Sequence, residues 1–129
     1  MIKKLNKNNW QEWKAIRLEA LQKSPDSFLS SFEEERKTLD NDWAEQLKNS
    51  IKFGYFINNK IAGCCGLSLE KAAKISHTAT IWGMYVKDDA RGNGIGLNLI
   101  NFAKNYAKKN RVKHLYLGCN AENYNAIKL

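Results

Sequence analysis

The order of elements in residues 76–119 limits the architecture more than anything else in the chain. SHTATIWGMYV, residues 76–86, has the apolar and β-branched texture of a long strand. Asp88-Asp89 turns it into ARGNGIG, residues 90–96, and a helical pattern fills 94–109. There Ile95, Leu99, Phe102, Ala103 and Tyr106 form a stripe at three-to-four spacing, which Ile100 and Ala107 widen. KHLYLGC, residues 113–119, then reads as another strand. A helix between two strands makes a crossover, so the two strands are expected to be parallel neighbours.

Upstream, KFGYFI (52–57) and KIAGCCGLSL (60–69) are joined by Asn58-Asn59, a turn pair that tolerates positive φ. Those strands are expected to be antiparallel. Residues 9–23 read as an amphipathic helix built on Trp10, Trp13, Ile16, Leu18 and Leu21, and 28–37 and 40–49 suggest shorter helices. The tail NAENYNAIKL, residues 120–129, reads as the start of a further helix. The expected class is α/β: one mixed sheet with helices on its faces, in a single domain over 1–129.

Charge widens the list of partners before motifs narrow it. The formal net charge is +8, from 21 Lys and Arg against 13 Asp and Glu. A basic surface suits nucleic acid, an acidic membrane or a phosphorylated small molecule. The cations, Lys14 and Arg17 among them, read mostly as a solvated face. The aromatics fall at core periods and no nucleic-acid motif is present, so no nucleic-acid partner is expected. Cys64, Cys65 and Cys119 are odd in number and lack metal-ligand spacing. That usage implies no metal and a reducing compartment. With no apolar leader and no run near the ~20 residues of a membrane span, a cytoplasmic protein without a membrane partner is expected.

The glycine stretch admits two readings. A helix N-terminus offers unpaired N–H groups and a positive dipole end, and glycine lets a ligand approach, so Arg91 to Gly96 can cradle an anion such as a pyrophosphate. It can equally be a tight turn in which glycine relieves crowding. The dinucleotide fingerprint is absent, because Gly92-x-Gly94-x-Gly96 has the wrong spacing, and no Gly-Lys-Ser/Thr follows as in Walker A.

MYVKDDARGNGIGLNLI resembles the acyl-CoA-binding core of the GNAT superfamily of N-acetyltransferases. Arg91, Gly94 and Gly96 stand at the positions of its Arg/Gln-x-x-Gly-x-Gly/Ala pattern. Downstream, HLYLGCNAENYNAIKL resembles the family's next strand followed by Asn-x-x-Ala-x-x-Leu, here Asn123, Ala126 and Leu129. RLEALQKSPDSFLSSFEEE resembles the helix–loop–helix substrate flank of one branch, so the resemblance runs along nearly the whole chain.

The resemblance implies acetyl-CoA as co-substrate and a primary amine, of a small molecule or a peptide, as acceptor. The backbone of Met84, Tyr85 and Val86 would pair with the pantetheine arm, and Arg91, Gly92, Asn93, Gly94, Ile95 and Gly96 would hold the pyrophosphate. Asn123 would contact the cofactor arm, and Phe28, Phe32 and the run Glu33, Glu34 and Glu35 would form an apolar and acidic acceptor mouth suited to a cationic amine. The family's strand Glu is missing, since 76–86 has no acidic residue; His77, Glu122 and Tyr124 are the remaining candidates for proton transfer.

Family members commonly continue past Asn-x-x-Ala-x-x-Leu with a Tyr that protonates the leaving thiolate, then a final β-hairpin. Against that pattern the sequence reads as a GNAT fold lacking the last hairpin. Two expectations follow: an exposed sheet edge at 113–119 available for a homodimer, and, as an alternative to a full enzyme, a module that holds acyl-CoA but turns over weakly.

Overall fold

The computed structural model describes residues 1–28, 30–72, 74, 76–118 and 124–128. Ile2–Lys4 form β1, Trp10–Lys23 α1, Phe32–Glu35 α2 and Asp40–Asn49 α3. Ile51–Ile57 form β2, Lys60–Leu69 β3 and Thr78–Val86 β4. Ile95–Lys109 form α4, His114–Gly118 β5 and Tyr124–Lys128 β6. The six strands make one sheet in the order β1-β2-β3-β4-β5-β6. All neighbours are antiparallel except β4 and β5, which are parallel, as the crossover through α4 requires.

The sheet is sandwiched between two layers. α4 covers one face with Ile95, Leu99, Ala103 and Ala107, all buried against Phe53, Cys65, Ala79 and Ile81. The stripe read from the sequence is the face that packs. α1 and α3 cover the other face, where Trp13, Ile16, Trp43 and Leu47 meet Phe56, Cys64 and Tyr85. The Asn58-Asn59 turn between β2 and β3 has φ of 49° and 65°, the left-handed conformation expected of that pair. Among the described residues no helix is long and apolar enough to cross a membrane.

Two features of β4 distinguish its outer half, the end nearer the glycine loop. Its pairing with β5 runs from Thr78↔His114 to Ile81↔Leu117, and among the described residues it goes no further. Among the described residues β4 continues to Val86 paired with β3 alone. Within that outer half β4 carries a bulge: Gly66↔Trp82 and Cys64↔Tyr85 are two residues apart on β3 but three on β4. Gly83, at φ 62°, takes up the extra residue. Trp82 and Tyr85 therefore both face α1, although strict alternation would set them on opposite faces.

The tail corrects two expectations. Residues 124–128 are a strand, and β6 pairs with β5 from His114↔Lys128 to Gly118↔Tyr124. The edge expected at 113–119 is therefore covered over His114–Gly118 by this chain's own β6 and does not offer there the open surface that the dimer needed. The N–H and C=O groups along the free side of β5 give the tail a ladder to pair with, which outweighs the helical spacing of Asn123, Ala126 and Leu129. β1 was not legible at all: its three residues, two of them lysine, carry no periodicity.

Candidate active site

The glycine loop leads from β4 into α4. Gly92 and Gly94 have φ of 85° and 73°, and Gly94 is the N-cap of α4, with no side chain capping the helix. A Cβ on either glycine would meet nothing within 4 Å. Crowding is therefore not what requires glycine here. The backbone conformation requires it, and the space where either side chain would stand is open. The first helical bond runs from Asn98 N to Gly94 O at 3.0 Å, which leaves the preceding N–H groups of the first turn without an intrahelical acceptor.

The loop is held from behind. Arg91 Nε donates to Val86 O at 3.0 Å and its NH1 pairs with Asp88 at 3.0 Å. Asn93 Nδ2 donates to Ala90 O at 3.0 Å. Lys23, from the end of α1, reaches Asp88 at 3.3 Å. A cleft of about 400 Å³ opens on the loop's flank, with Lys60 and Lys87 among its walls.

The α1 side of the outer half of β4 holds a buried polar cluster. Arg17 gives Glu35 two hydrogen bonds, Nε to Oε1 at 3.0 Å and NH2 to Oε2 at 2.9 Å. Their side chains are 9% and 19% exposed, so this is an interior ion pair. The guanidinium lies 5.1 Å from the Phe28 ring centre and 5.6 Å from Trp82. Its third nitrogen, NH1, is buried without a hydrogen-bond partner. It lies 3.2 Å from where a Cβ on Gly83 would stand, directly against the bulge.

Lys52 completes the cluster from β2. Its Nζ sits 5.2 Å from the ring centres of both Trp13 and Trp82 and hydrogen-bonds to Ser50 Oγ. Burial, with the Arg17 charge close by, lowers its pKa to about 8 from an ordinary 10.5, against a smaller upward pull from Glu35. Beyond it, Tyr85 donates its hydroxyl to Glu19 at 2.7 Å, and Lys87 reaches the same carboxylate at 3.3 Å. Burial and that hydrogen bond push the Tyr85 phenol well up. Burial also pushes the Cys64 thiol up to about 12; it donates to Gly83 O at 3.7 Å.

The residues singled out in the sequence separate into groups. Met84, Tyr85, Val86 and Arg91 to Gly96 form one continuous tract along β4 and its loop. Phe28 does border the cluster, packed on Arg17. Glu34 is exposed, and its neighbour Glu35 is the carboxylate that turns inward. His77 is exposed at the start of β4, its ring 5.6 Å from that of His114, at the opposite end of the strand from the bulge. Glu122 and Asn123 lie outside the described residues, and Tyr124 opens β6.

Arg17 and Lys52 were missed as site residues, and Glu35 was read only as part of the run Glu33–Glu35 at the acceptor mouth. Charged residues are expected at the surface, and the three come from separate elements. Arg17 did carry a signal: it stands four residues from both Trp13 and Leu21, on the buried stripe of α1. Among the described residues no group of His, Cys, Asp and Glu could hold a metal ion.

A family model described as the Acetyltransferase (GNAT) family matches residues 10–129. The chain belongs to the GNAT acetyltransferase family. Its structure is similar to an acetyltransferase of the GNAT family from Streptococcus pneumoniae, at TM-score 0.75 and 18% identity, over 91% of this chain and 72% of that one. It is similar to an aminoglycoside acetyltransferase from an uncultured soil metagenomic sample, in complex with sisomicin, at TM-score 0.73 and 18% identity, covering 94% and 78%. A ribosomal-protein-alanine N-acetyltransferase from Brucella melitensis matches at TM-score 0.68 and 20% identity, covering 95% and 76%. No curated protein matches the sequence. At these identities the GNAT neighbours share the fold, and the family's chemistry is acyl transfer.

Proposed function

We propose that the chain is an acetyl-CoA-dependent N-acetyltransferase that transfers the acetyl group to a primary amine. The observation that carries this reading is the uncapped N-terminus of α4. Two positive-φ glycines face open space there, directly after a strand whose pairing with its parallel neighbour ends, among the described residues, at Ile81. Uncapped N–H groups at the positive end of a helix suit a pyrophosphate. Arg91 through Gly96 would bind it. The β5-facing side of β4 at Met84, Tyr85 and Val86, unpaired among the described residues, would pair with the pantetheine amides as a strand would, and Asn123 would contact the same arm.

The chemistry is direct transfer. The neutral amine attacks the thioester carbonyl, forming a carbon–nitrogen bond and a tetrahedral oxyanion. A backbone N–H on the bulged half of β4 would stabilise that oxyanion. Collapse breaks the carbon–sulfur bond and expels CoA thiolate, and the proton lost by nitrogen passes to water or a base. The two inward carboxylates are already engaged, Glu35 with Arg17 and Glu19 with Tyr85 and Lys87. A water relay to solvent is the route this leaves among the described residues.

The test is calorimetric titration with acetyl-CoA, then thiol release against a panel of amines. Saturable binding with release supports the enzyme. Binding without release from any amine would leave a module that holds acyl-CoA, and no binding would end both readings.

A further inference from the structure

The cluster between α1 and the bulge of β4 carries an unbalanced charge. It contains two cations, Arg17 and Lys52, and one carboxylate, Glu35. The next acidic group, Glu19, is spent on Tyr85 and Lys87. Among the described residues Lys52 has neutral acceptors only, Ser50 Oγ and Gln46 O. A buried cation without a counter-ion is costly, and so is a buried N–H without an acceptor. Both deficits meet at one place. Glu35 takes Nε and NH2 of the guanidinium, while NH1 stays unpartnered beside Gly83.

We propose that the acceptor carries a carboxylate close to its amine, and that Arg17 NH1 receives this carboxylate. The inference rests on the acetyltransferase reading and names its substrate class: compact amino-carboxylates. One added negative charge balances the cluster, which favours a carboxylate over a dianionic phosphate. Position argues the same way. NH1 stands against the bulge, so a carboxylate bound there puts an amine a few bonds away beside the outer half of β4, where the thioester would lie. Glu35 is a positioning residue that fixes the guanidinium plane by its two-point bond. Phe28, half-buried on the guanidinium, is the side chain that an incoming carboxylate displaces. The acidic mouth that the run Glu33–Glu35 suggested for a purely cationic amine is not what the cluster presents, because Glu35 is consumed internally and Glu33 pairs with Arg36.

The experiment pairs each protein amino acid with its own carboxamide as acceptor for the wild-type chain, with simple alkylamines alongside. CoA release is the readout, and acetyl-CoA binding is measured separately by calorimetry. The acids are expected to exceed their amides in kcat/KM by about 10- to 100-fold, the span of one charge-assisted hydrogen bond. Arg17→Met is expected to bring that ratio close to unity by raising KM for the acid alone, with acetyl-CoA affinity unchanged. If Arg17→Met does not fold, the wild-type ratio decides by itself. Amides or alkylamines equal to the acids would overturn the inference. So would failure of every amino acid while acetyl-CoA still binds. Loss of acetyl-CoA binding in the wild type would instead overturn the reading beneath it.

Discussion

The Trp82 indole lies flat on Gly66, its paired residue across β3 and β4. A Cβ on Gly66 would stand 2.2 Å from Trp82 Cε2 and 2.5 Å from Cζ2. That contact fixes the ring on which both Arg17 and Lys52 rest. It also sets Trp82 edge-on to Trp13, with ring centres 6.3 Å apart. Gly66 is thus a packing requirement, unlike Gly92 and Gly94.

Gly66→Ala is expected to push the indole off the sheet and cost about 1–3 kcal/mol, the usual penalty of overpacking. Urea unfolding measures it. The same substitution should raise the acceptor KM more than the acetyl-CoA Kd, because the displaced ring lies on the α1 side. An unchanged unfolding midpoint would show that the sheet yields there without strain.

Gly94 separates conformation from ligand space. At φ 73° a β-branched residue is strained, by about 1–2 kcal/mol, whereas Asn tolerates the left-handed region. Gly94→Val is expected to fold with reduced stability and to lose acetyl-CoA affinity by at least about tenfold, or ~1.4 kcal/mol. Gly94→Asn is expected to keep most of the stability and still weaken binding, since its side chain enters the same space. Calorimetry on both variants reads the outcome, and intact affinity in both would reduce the loop to a turn.

Lys52 gives the protein a pH signature. Its folded pKa of about 8 lies below the ordinary 10.5, so the folded chain releases this proton first. Between those values the unfolded chain holds more protons, and Lys52 makes stability rise with pH. Below about 8 the cost of the buried charge is present in full, and above 10.5 it is gone. Lys52→Met removes the cost, so its stability relative to wild type should be greatest at neutral pH and should decline across that window. Paired urea titrations test this; parallel curves for the two proteins would mean that Lys52 titrates normally.

His77 stands at the wrong end of β4 for proton transfer. His77→Asn is expected to leave kcat and its pH profile within error of wild type. A lost ionisation in the kcat profile would return the residue to the site.

What could be read in the sequence was whatever is encoded locally. α3 and β3 occupy the residues their patterns marked, Asp40–Asn49 and Lys60–Leu69, because amphipathic period and turn pair both act within a few residues. The glycine loop was visible for the same reason, and of its two readings the free space at Gly92 and Gly94 removes crowding as the reason for glycine. The Arg17–Glu35–Lys52 cluster was invisible because its members lie on α1, α2 and β2, and a lone charge within a helix pattern looks solvated until its neighbours are known. The tail misled because its helical spacing took no account of the unpaired side of β5, which makes a strand there favourable.

The bulge at Gly83 makes β4 a strand with two phases. Before it, one parity of residue numbers addresses α4; after it, the other parity does, as Ile81 and Met84 illustrate. A single-residue deletion between Trp82 and Tyr85 would remove the extra residue and restore simple alternation, with Tyr85 still toward α1 and Val86 still toward α4. Away from the bulge the same deletion would turn the side chains beyond it to the other layer. The bulge is thus a place where β4 can lose a residue in length without exchanging its two faces.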